Sequence, residues 1–570
     1  MRMKLKDFFT VKSLVMAGCV SIVVYLALVP LLILLFNSFR SAPIGAPDAH
    51  FTLSHYLEAY LDPEYYYLWK NTLLFALGRC LLTGFVGTTL AWIYERTNTP
   101  FKKAFAVMAL IPFVIPGILS TVSWILLLSP KIGLINLFLI KLFHLEEAPI
   151  TIYSLYGMVL ADGFHHYPLV FLMMAAAFRS MDMALEESAT MSGSGTLTTF
   201  YRVTLPLMRP AFLAAMVIQF IRGIEAFSAP ALIGIPAGIE VFTSKIYLAL
   251  HRFPPDLGLA GALAVTLLCV STLGVYLYRR LTGDQERFAT VSGKAFRPRV
   301  IDLGKLKYLV SIGCLLFFTV TIALPVFMIF WGSLVPFYEI PSLAALSTLS
   351  FKNYAFVLKY PLTAQAFRNS VFLMLIVPTI TMIFTSIVAW IIVKSKVKGR
   401  GILDALAFIP IAFPGIVLGV ALIYVYLTLP IPVYGTLWIL IIAYVTKMMP
   451  MASRFTTATI IQIQDELEEA SALSGATWFR TFYKIVMPLL VPGFMAGWIY
   501  VAMVALRELS TSILLYSSGT EVLSILIFDL WEGGQYSPLC ALGIYMIIIL
   551  VLLALVANKV GAKIGIKRVN

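Results

Sequence analysis

The chain has 570 residues, of which 60% are hydrophobic and 12% are charged, with a net charge of +14. Soluble domains contain about 45–50% apolar and about 25% charged residues, so this composition excludes an ordinary water-soluble protein. It predicts an all-α polytopic membrane protein that is surrounded by lipid. The excess of Lys and Arg usual in the inner loops of membrane proteins explains the positive balance, so we expect no nucleic-acid partner.

Uncharged stretches long enough to cross about 30 Å of hydrocarbon occur along the whole chain. Six of them stand alone, at 14–36, 104–130, 257–278, 308–338, 370–393 and 533–557. The uncharged run 405–446 is too long for one helix, and the turn sequence Leu429-Pro430-Ile431-Pro432 divides it into two. Four further spans, near 70–94, 148–178, 207–233 and 488–515, contain isolated ionisable residues. The sequence therefore predicts about twelve transmembrane helices.

The distribution of basic residues predicts the orientation of these helices. If the N-terminus is cytoplasmic, 30 of the 42 Lys and Arg residues fall on inner segments. Both termini are therefore expected in the cytoplasm. The first apolar run exceeds the about 7–15 residues of a signal-peptide core, and an equivalent segment recurs in the middle of the chain. We therefore expect a true first helix rather than a cleaved signal peptide.

The chain contains a parallel internal repeat. Matching residues recur at offsets of 295, 298 and 282, for example Gly18-Cys19 with Gly313-Cys314, Pro116-Gly117 with Pro414-Gly415, and Glu187 with Glu469. The change from 298 to 282 places 16 extra residues in the first half, and we expect them in the outer loop around 129–150. We predict a first six-span half at 1–282, a charged cytoplasmic linker at 283–306 and a second six-span half at 307–570.

The repeat predicts an axis and a place for a pathway. Two halves with six spans each and the same orientation are related by a pseudo-twofold axis along the membrane normal, and a transport pathway then lies between them. The alternative is a duplicated membrane protein that transports nothing.

The strongest local signal is an inner loop that occurs once in each half, near 183–206 and near 465–488. The first copy reads Glu187-Ser-Ala-Thr-Met-Ser-Gly193, then nine residues, then Val203-Thr-Leu-Pro206. The second reads Glu469-Ala-Ser-Ala-Leu-Ser-Gly475, nine residues, then Ile485-Val-Met-Pro488.

This loop pattern predicts a short helix that is followed by a turn. Acidic residues favour the helix N-terminus, glycine can end the helix in the left-handed conformation, and proline marks the entry to the next span. A second short helix is expected to present Phe200 and Tyr201, or Phe482 and Tyr483. The loop is either a docking surface for a partner or a solvated interfacial helix, and its occurrence at matched spacing in both halves favours docking.

The paired loops resemble the E-A-A-x3-G-x9-I-x-L-P signature of the permease subunits of binding-protein-dependent ABC importers. The resemblance implies a type I importer fold in the bacterial cytoplasmic (inner) membrane, with each loop forming a coupling helix that seats in an ATPase subunit. The signature positions are Glu187, Ala189, Gly193, Val203 and Pro206, and then Glu469, Ala470, Gly475, Ile485 and Pro488. Ser188, Ser471 and Met487 depart from the signature, all by small or conservative changes.

The chain is not expected to be an enzyme or to bind a cofactor. It lacks a G-x-x-x-x-G-K-[ST] phosphate loop, so ATP would be used by two copies of a separate ABC ATPase subunit. The resemblance also implies an extracytoplasmic solute-binding protein, for which the outer segments 37–69 and 333–368 are candidate contacts.

Ionisable residues inside the spans are the candidate pathway residues, because such groups are costly in a membrane and usually face a cavity or a partner. They are Arg222, Glu225, Arg507, Glu508, Asp162 and His165. The alternative for the first four is mutual neutralisation that locks the fifth spans against their neighbours.

Neither the histidine cluster nor the cysteines predict a metal site. Asp162 shares a helix face with His165 and His166, and these groups suit a hard or borderline metal, but polar packing around Gly163 and Pro168 explains them without one. The five cysteines, at positions 19, 80, 269, 314 and 540, lie in apolar stretches with no paired spacing. We expect them in the core, without a disulfide.

Two further segments bear on the identity of the cargo. Segments 226–234 and 507–515 are similar to the fused two-half branch that includes ferric-iron permeases, which makes ferric iron the first expectation. Permeases for 2-aminoethylphosphonate, thiamine and polyamines are similar enough to stay open as alternatives. An ion-coupled secondary transporter of the twelve-span facilitator type also has parallel halves, but residues 94–100 do not supply the basic loop expected of that class.

Overall fold

The structure is a computed structural model that describes residues 11–42, 48–181, 184–283, 300–395, 397–429 and 431–563. Most of the predicted linker 283–306 lies outside these residues. Within them the chain is helical, joined by turns and two isolated β-bridges. Eight helices are long and apolar enough to cross a membrane, and up to twelve spans result if each of four bent helix pairs counts as one. The prediction of an all-α polytopic protein with about twelve spans is confirmed.

Twelve main helices, six from each half, form the architecture. The first half contributes α1 (Val11–Ser38), α2 (Pro63–Arg96), α3 (Gly117–Leu128), α4 (Leu155–Ser180), α5 (Leu205–Ile224) and α6 (Leu257–Gly283). The second contributes α7 (Leu306–Leu334, through a π turn at Thr319–Ala323), α8 (Pro361–Val393), α9 (Gly415–Thr428), α10 (Leu437–Ile460), α11 (Met487–Leu506) and α12 (Tyr536–Lys563). The repeat offsets relate these helices pairwise.

Shorter helices complete the chain. In the first half they are Ser54–Leu61, Lys102–Leu110, Leu134–Phe143, Ala184–Met191, Thr196–Thr199 and Phe242–His251. In the second they are Lys352–Lys359, Arg400–Phe408, Asp465–Leu473, Trp478–Thr481, Ser512–Leu515 and Leu523–Glu532. Helix Leu134–Phe143 lies in the predicted outer insertion, whereas the second half crosses the same place by the short connection between α9 and α10. This difference accounts for the extra residues of the first half.

The third span of each half is broken, where the sequence predicted a continuous apolar stretch. Segments Lys102–Phe113 and Gly117–Leu128 meet at an angle of 102°, and Arg400–Ala412 and Gly415–Thr428 meet at 108°. Pro116 and Pro414 stand directly before the second segment of each pair. Proline removes a helical donor and restricts the residue before it, which breaks the helix. Because the two prolines match in the repeat, the breaks fall at equivalent positions.

The two halves interlock through their first helices. Helix α1 packs against α9 of the second half, and α7 packs against α3 of the first half. The hydroxyls of Tyr25 and Tyr426 are 2.9 Å apart, and the Tyr338 hydroxyl donates to the Leu126 carbonyl over 3.1 Å. These contacts build one core around the interface at which a pathway is expected.

The cysteines only partly follow the sequence prediction. All five are free thiols, and four of them are buried. Cys269 is exposed on α6, so its expected place in the core is wrong. An apolar position on a membrane helix can face lipid rather than protein, and apolarity alone does not distinguish the two.

The end of the linker is fixed to the C-terminal end of α2. The Ile301 amide donates to the Arg96 carbonyl over 2.8 Å, and Asn98 accepts from the Leu303 amide over 3.1 Å. Amide donation from Gly304 and Asn98 lowers the pKa of the Asp302 carboxyl below its ordinary value. The start of the second half is therefore attached to the first half beside its inner loop.

Candidate functional site

Both inner loops have the same backbone course. Helices Ala184–Met191 and Asp465–Leu473 each end at a glycine, and Gly193 and Gly475 have φ angles of +85° and +79°. Both glycines take the left-handed conformation that the sequence predicts. A short helix then leads through a π turn, Phe200–Thr204 or Phe482–Val486, into the fifth span. The predicted second short helix is thus present, as Thr196–Thr199 or Trp478–Thr481, but the two aromatic residues of each loop fall in the π turn that follows it.

The first loop is held by a buried carboxylate that the sequence did not single out. Glu186 forms an ion pair with Arg96, whose side chain is 1% exposed, and it accepts from the Thr204 hydroxyl over 2.5 Å. The neighbouring signature residue Glu187 is exposed. The residue before the signature therefore anchors the loop to α2 and α5, and Glu187 is left at the surface.

The second loop is held at the same positions by different groups. Glu468, which matches Glu186, accepts from the Trp390 indole N–H over 3.0 Å. Lys394, which matches Arg96, pairs instead with Asp465 at the start of the loop helix. Trp478 packs edge-on against Trp390, with ring centroids 5.2 Å apart. An aromatic cluster thus replaces the buried ion pair of the first loop.

Large apolar side chains are exposed at matching positions on both loops. Met191 is 89% exposed, and its counterpart Leu473 is 90% exposed. The same holds for Leu185 with Leu467 and for Tyr201 with Tyr483. Phe482, by contrast, is buried, so of the predicted second-loop aromatic pair only Tyr483 is presented outward. Exposed apolar patches that recur in this way are typical of a protein-binding surface.

The remaining signature residues lie on the same surface or just behind it. Ala189, Val203 and Ile485 are half-buried, and Glu469, Ala470, Pro206 and Pro488 are exposed. Each proline is the second residue of its helix, where a missing backbone donor costs nothing. The signature therefore marks an exposed helix, its terminating glycine and its attachment to the fifth span.

The fifth helices end at the height of the mid-membrane charges. Helix α5 ends at Ile224 and α11 at Leu506, so Glu225 and Arg507 occupy equivalent helix C-caps. The Arg507 guanidinium donates to the Phe113 carbonyl at the break of the first half and lies 5.9 Å from the centroid of the Phe113 ring. The Arg507 side chain therefore connects the second half to the first.

The four charges at the helix ends are not neutralised in the pairs considered from the sequence. Glu508 forms an ion pair of 2.7 Å with Lys447 and accepts from the Thr511 amide over 3.1 Å. Arg222 is exposed, and Glu225 has one buried carboxylate oxygen without a hydrogen-bond partner among the described residues. Nothing in the sequence pattern marked Lys447 as the partner of Glu508.

Glu225 lies within electrostatic range of charges from both halves, which include Arg222 and Lys447. The end of α5 thus lies near charges of the second half, at the interface between the halves. This is where an ion or a charged solute would encounter groups of either sign.

Asp162 is engaged in packing between helices. It forms an ion pair with Arg79, which is fully buried, and the His166 ring Nδ1 lies 3.4 Å from its carboxylate. Arg79 also donates to the Gln219 carbonyl over 3.2 Å, so the group joins α2, α4 and α5. No cluster of three metal-ligating side chains occurs in the part of the chain that the structure describes.

His165 and its counterpart Lys447 lie beside the breaks of the third spans. A Cβ placed on Gly117 would come 3.6 Å from His165 Nε2, and one on Gly415 would come 2.6 Å from Lys447 Nζ. The glycine after each break therefore leaves room for the ionisable side chain of the fourth span. The space beside Lys447 is the narrower of the two.

Comparison with known proteins gives the following matches. A family model described as "Binding-protein-dependent transport system inner membrane component" matches residues 85–283 and again residues 382–564. The ferric transport system permease protein FbpB of Actinobacillus pleuropneumoniae is 27% identical over 83% of this chain and 69% of that protein. The putative ferric transport system permease protein FbpB 1 of Haemophilus influenzae is 28% identical over 78% of this chain and 70% of that protein.

Among solved structures, a bacterial ABC transporter involved in the import of alginate is similar with a TM-score of 0.36 and 18% identity, over 46% of this chain and 96% of that chain. The two matches to the family model fall one in each half. The internal repeat is therefore a duplication of one permease unit.

Proposed function

Because this chain belongs to the family of binding-protein-dependent transport system inner membrane components, we propose that it is driven by two copies of a separate ATPase subunit, one at each inner loop. The chain is a fused permease with the type I importer fold and is itself the transport component. On this proposal it binds no cofactor, and ATP is used by the partner subunits. The observation that carries the proposal is the repeated exposure of Met191 and Leu473, each beside a glycine-terminated helix.

The loop geometry supports force transmission as well as docking. In the first loop, Glu186 connects the exposed helix to α2 and α5 through Arg96 and Thr204. Movement of the exposed helix would therefore be passed directly to the fifth span, whose other end carries Glu225. In this proposal the signature residues Glu187, Gly193, Glu469 and Gly475 belong to the coupling surface.

We propose the orientation that the basic residues predict, with both termini and both loops in the cytoplasm. The linker end at Ile301 and Asp302 then lies on the cytoplasmic side, beside the first loop. The outer face carries helices Ser54–Leu61 and Lys352–Lys359, and it would meet the solute-binding protein that this family requires.

The proposed cargo is ferric iron. Its support is the series of relatives named as ferric transport permeases, which match over most of this chain. The proposed pathway follows the interface past the ends of α5 and α11, with Arg222, Glu225 and Arg507 facing it. Asp162 shapes this pathway through its pair with Arg79. His165 lies beside the break that precedes α3.

Reconstitution tests the proposal. The chain and its ATPase subunit are placed in liposomes with a solute-binding protein loaded with iron-55, and uptake and ATP hydrolysis are measured together. We expect ATP-dependent iron uptake, with no hydrolysis by the chain alone. The double variant Gly193→Asp with Gly475→Asp should hydrolyse ATP without uptake.

Normal uptake by the double variant would refute the coupling role of the loops. Uptake that persists without ATP and follows an ion gradient would favour a secondary transporter instead. A matched panel of 2-aminoethylphosphonate, thiamine and spermidine, each with its own binding protein, tests the choice of cargo.

A further inference from the structure

An open cavity of about 240 Å³ lies where α1 ends and α6 begins. Its polar lining includes Asn37 in the last turn of α1, Arg40 just after α1, His55 on helix Ser54–Leu61, Arg252 and Asp256 before α6, and Tyr424 on α9. In the proposed orientation this cavity opens to the outer face, on the side opposite the inner loops. It is far from the coupling surface and separate from the charges at the ends of α5 and α11.

The cavity carries a positive charge that its own carboxylate does not neutralise. Asp256 pairs with Arg252, and its other oxygen accepts from the Leu259 amide over 2.9 Å at the start of α6. No carboxylate among the described residues lies within ion-pairing distance of Arg40, whose guanidinium carbon is 5.8 Å from the centroid of the Phe36 ring. Arg40 therefore lines the cavity and adds to it a positive charge that no described carboxylate neutralises.

The walls of the cavity are fixed by contacts from both halves. His55 Nε2 lies 3.2 Å from the Arg40 carbonyl, and a Cβ on Gly258 would fall on the His55 ring, 2.2 Å from Nε2. Tyr424 of the second half donates to the Leu257 carbonyl of the first half. A group bound here would contact the ends of α1 and α6 and the second half at once.

The second half carries different side chains at the positions that match Arg40 and His55. By the repeat offsets, Arg40 corresponds to Val335 and His55 to Asn353. The Asn353 amide donates to the Ser333 and Val335 carbonyls over 3.0 and 2.7 Å, so it is occupied within the chain. The basic groups Arg40 and His55 are thus not repeated at the matching described positions of the second half, so the packing of the repeated unit does not require them.

We propose that this cavity is an anion-binding site that receives a carboxylate side chain of the solute-binding protein during docking. A guanidinium suits a carboxylate because it can donate two parallel hydrogen bonds. Charge complementarity favours an acidic residue on a partner, and the partner is the protein that delivers cargo to this face. The inference rests on the proposed importer function and orientation.

The test measures binding of the iron-loaded solute-binding protein to the complete importer in nanodiscs by biolayer interferometry, at low and at high salt. Arg40→Glu is expected to raise Kd by about tenfold or more, because a like charge then meets the partner carboxylate. Arg40→Gln is expected to raise Kd by a smaller factor and to flatten the salt dependence. Lys141→Glu, an exposed cation on helix Leu134–Phe143 and outside the segments expected to contact the solute-binding protein, is the control and should change Kd by less than about twofold.

The outcomes separate this proposal from the proposed function. A Kd for Arg40→Glu and Arg40→Gln within twofold of the unmodified importer overturns the site while leaving the importer intact. Unchanged partner affinity with reduced uptake would indicate a free anion in the cavity and also overturns the proposal. Failure of the unmodified importer to bind the solute-binding protein at all overturns both. Thermal unfolding in the nanodisc checks that each variant is folded.

Discussion

The two inner loops share one backbone course but are anchored by different chemistry. The first is anchored by the buried pair Arg96–Glu186, and the second by the Trp390 indole on Glu468 together with the Lys394–Asp465 pair. Asp465 has a side chain that is 75% exposed, whereas the Glu186 side chain is 11% exposed. After duplication, the position of the anchor has been kept while the type of interaction has changed.

This difference predicts unequal sensitivity of the two loops. Breaking a buried ion pair by removing one partner costs about 3–5 kcal/mol, because a charge is left uncompensated. An exposed pair contributes about 0–1 kcal/mol, and one net hydrogen bond about 0.5–1.5 kcal/mol. The first loop should therefore fail abruptly when its anchor is lost, and the second should weaken in small steps.

The largest expected effect comes from Arg96→Met. This change leaves Glu186 buried without its cation, so we expect a loss of about 3 kcal/mol in local stability and release of the first loop from α2. Hydrogen exchange of the amides in Ala184–Met191 would measure the release. The double variant Arg96→Met with Glu186→Gln should recover part of the loss, and an equal loss in both variants would argue against a charge-based anchor.

The next effect is expected at the glycine that ends the first loop helix. Gly193→Ala places a side chain at a φ of +85°, which costs about 1–2 kcal/mol, so the helix end should fray and ATP-coupled uptake should fall. Gly195→Ala is the matched control, because Gly195 has no neighbouring atom within 4 Å of an added Cβ and no positive φ. Similar uptake by the two variants would show that the left-handed turn is not needed.

A smaller effect is expected from Trp390→Phe in the second loop. The change keeps an aromatic ring beside Trp478 and removes the indole donor to Glu468, so we expect a loss of about 1 kcal/mol. Hydrogen exchange of Asp465–Leu473 measures it. An effect as large as that of Arg96→Met would mean that the two anchors are energetically equivalent, contrary to the comparison.

The smallest effect is expected from Lys394→Met. The Lys394 side chain is 8% exposed and also donates to the Ile463 carbonyl, but its partner Asp465 is 75% exposed and regains water when the cation is removed. The change should therefore cost no more than about 1 kcal/mol, and the difference should shrink as salt screens the pair. Exchange of the same helix at 50 mM and 500 mM salt, about a threefold change in screening length, would measure this. A large effect that does not depend on salt would mean that the Lys394–Asp465 pair is shielded from water, as the Arg96–Glu186 pair is.

Much of this architecture could be predicted from the sequence because it depends on local patterns. Apolar runs predicted the spans, the signature spacing predicted the loop helices, and Gly193 and Gly475 take the left-handed turns expected of them. The repeat offsets placed equivalent residues correctly enough to identify matching helix ends. Each of these features depends on a short stretch of chain and on one periodicity or spacing.

The features that could not be predicted depend on contacts between distant segments. The sequence signature contains Glu187, but the buried residue that anchors the loop is Glu186. Which of the two side chains faces α2 depends on how the loop helix packs against it. The sequence left open whether Arg222, Glu225, Arg507 and Glu508 face a pathway or neutralise one another. In the structure, Arg507 reaches the Phe113 carbonyl of the other half and Glu508 pairs with Lys447. Helix spacing describes one helix and contains no information on its neighbours.

Site-directed cross-linking tests the central claim most directly. Cysteine is introduced at Met191 or at Leu473 in a Cys269→Ser background, and the chain is treated with a short thiol-reactive cross-linker in membranes that contain the ATPase subunit. Leu142→Cys, an exposed apolar position on the outer helix Leu134–Phe143, is the matched control. We expect a cross-linked product with the ATPase subunit from both loop positions and none from the control. Absence of a product from both loops, or equal labelling of the control, would contradict the coupling role of the paired loops.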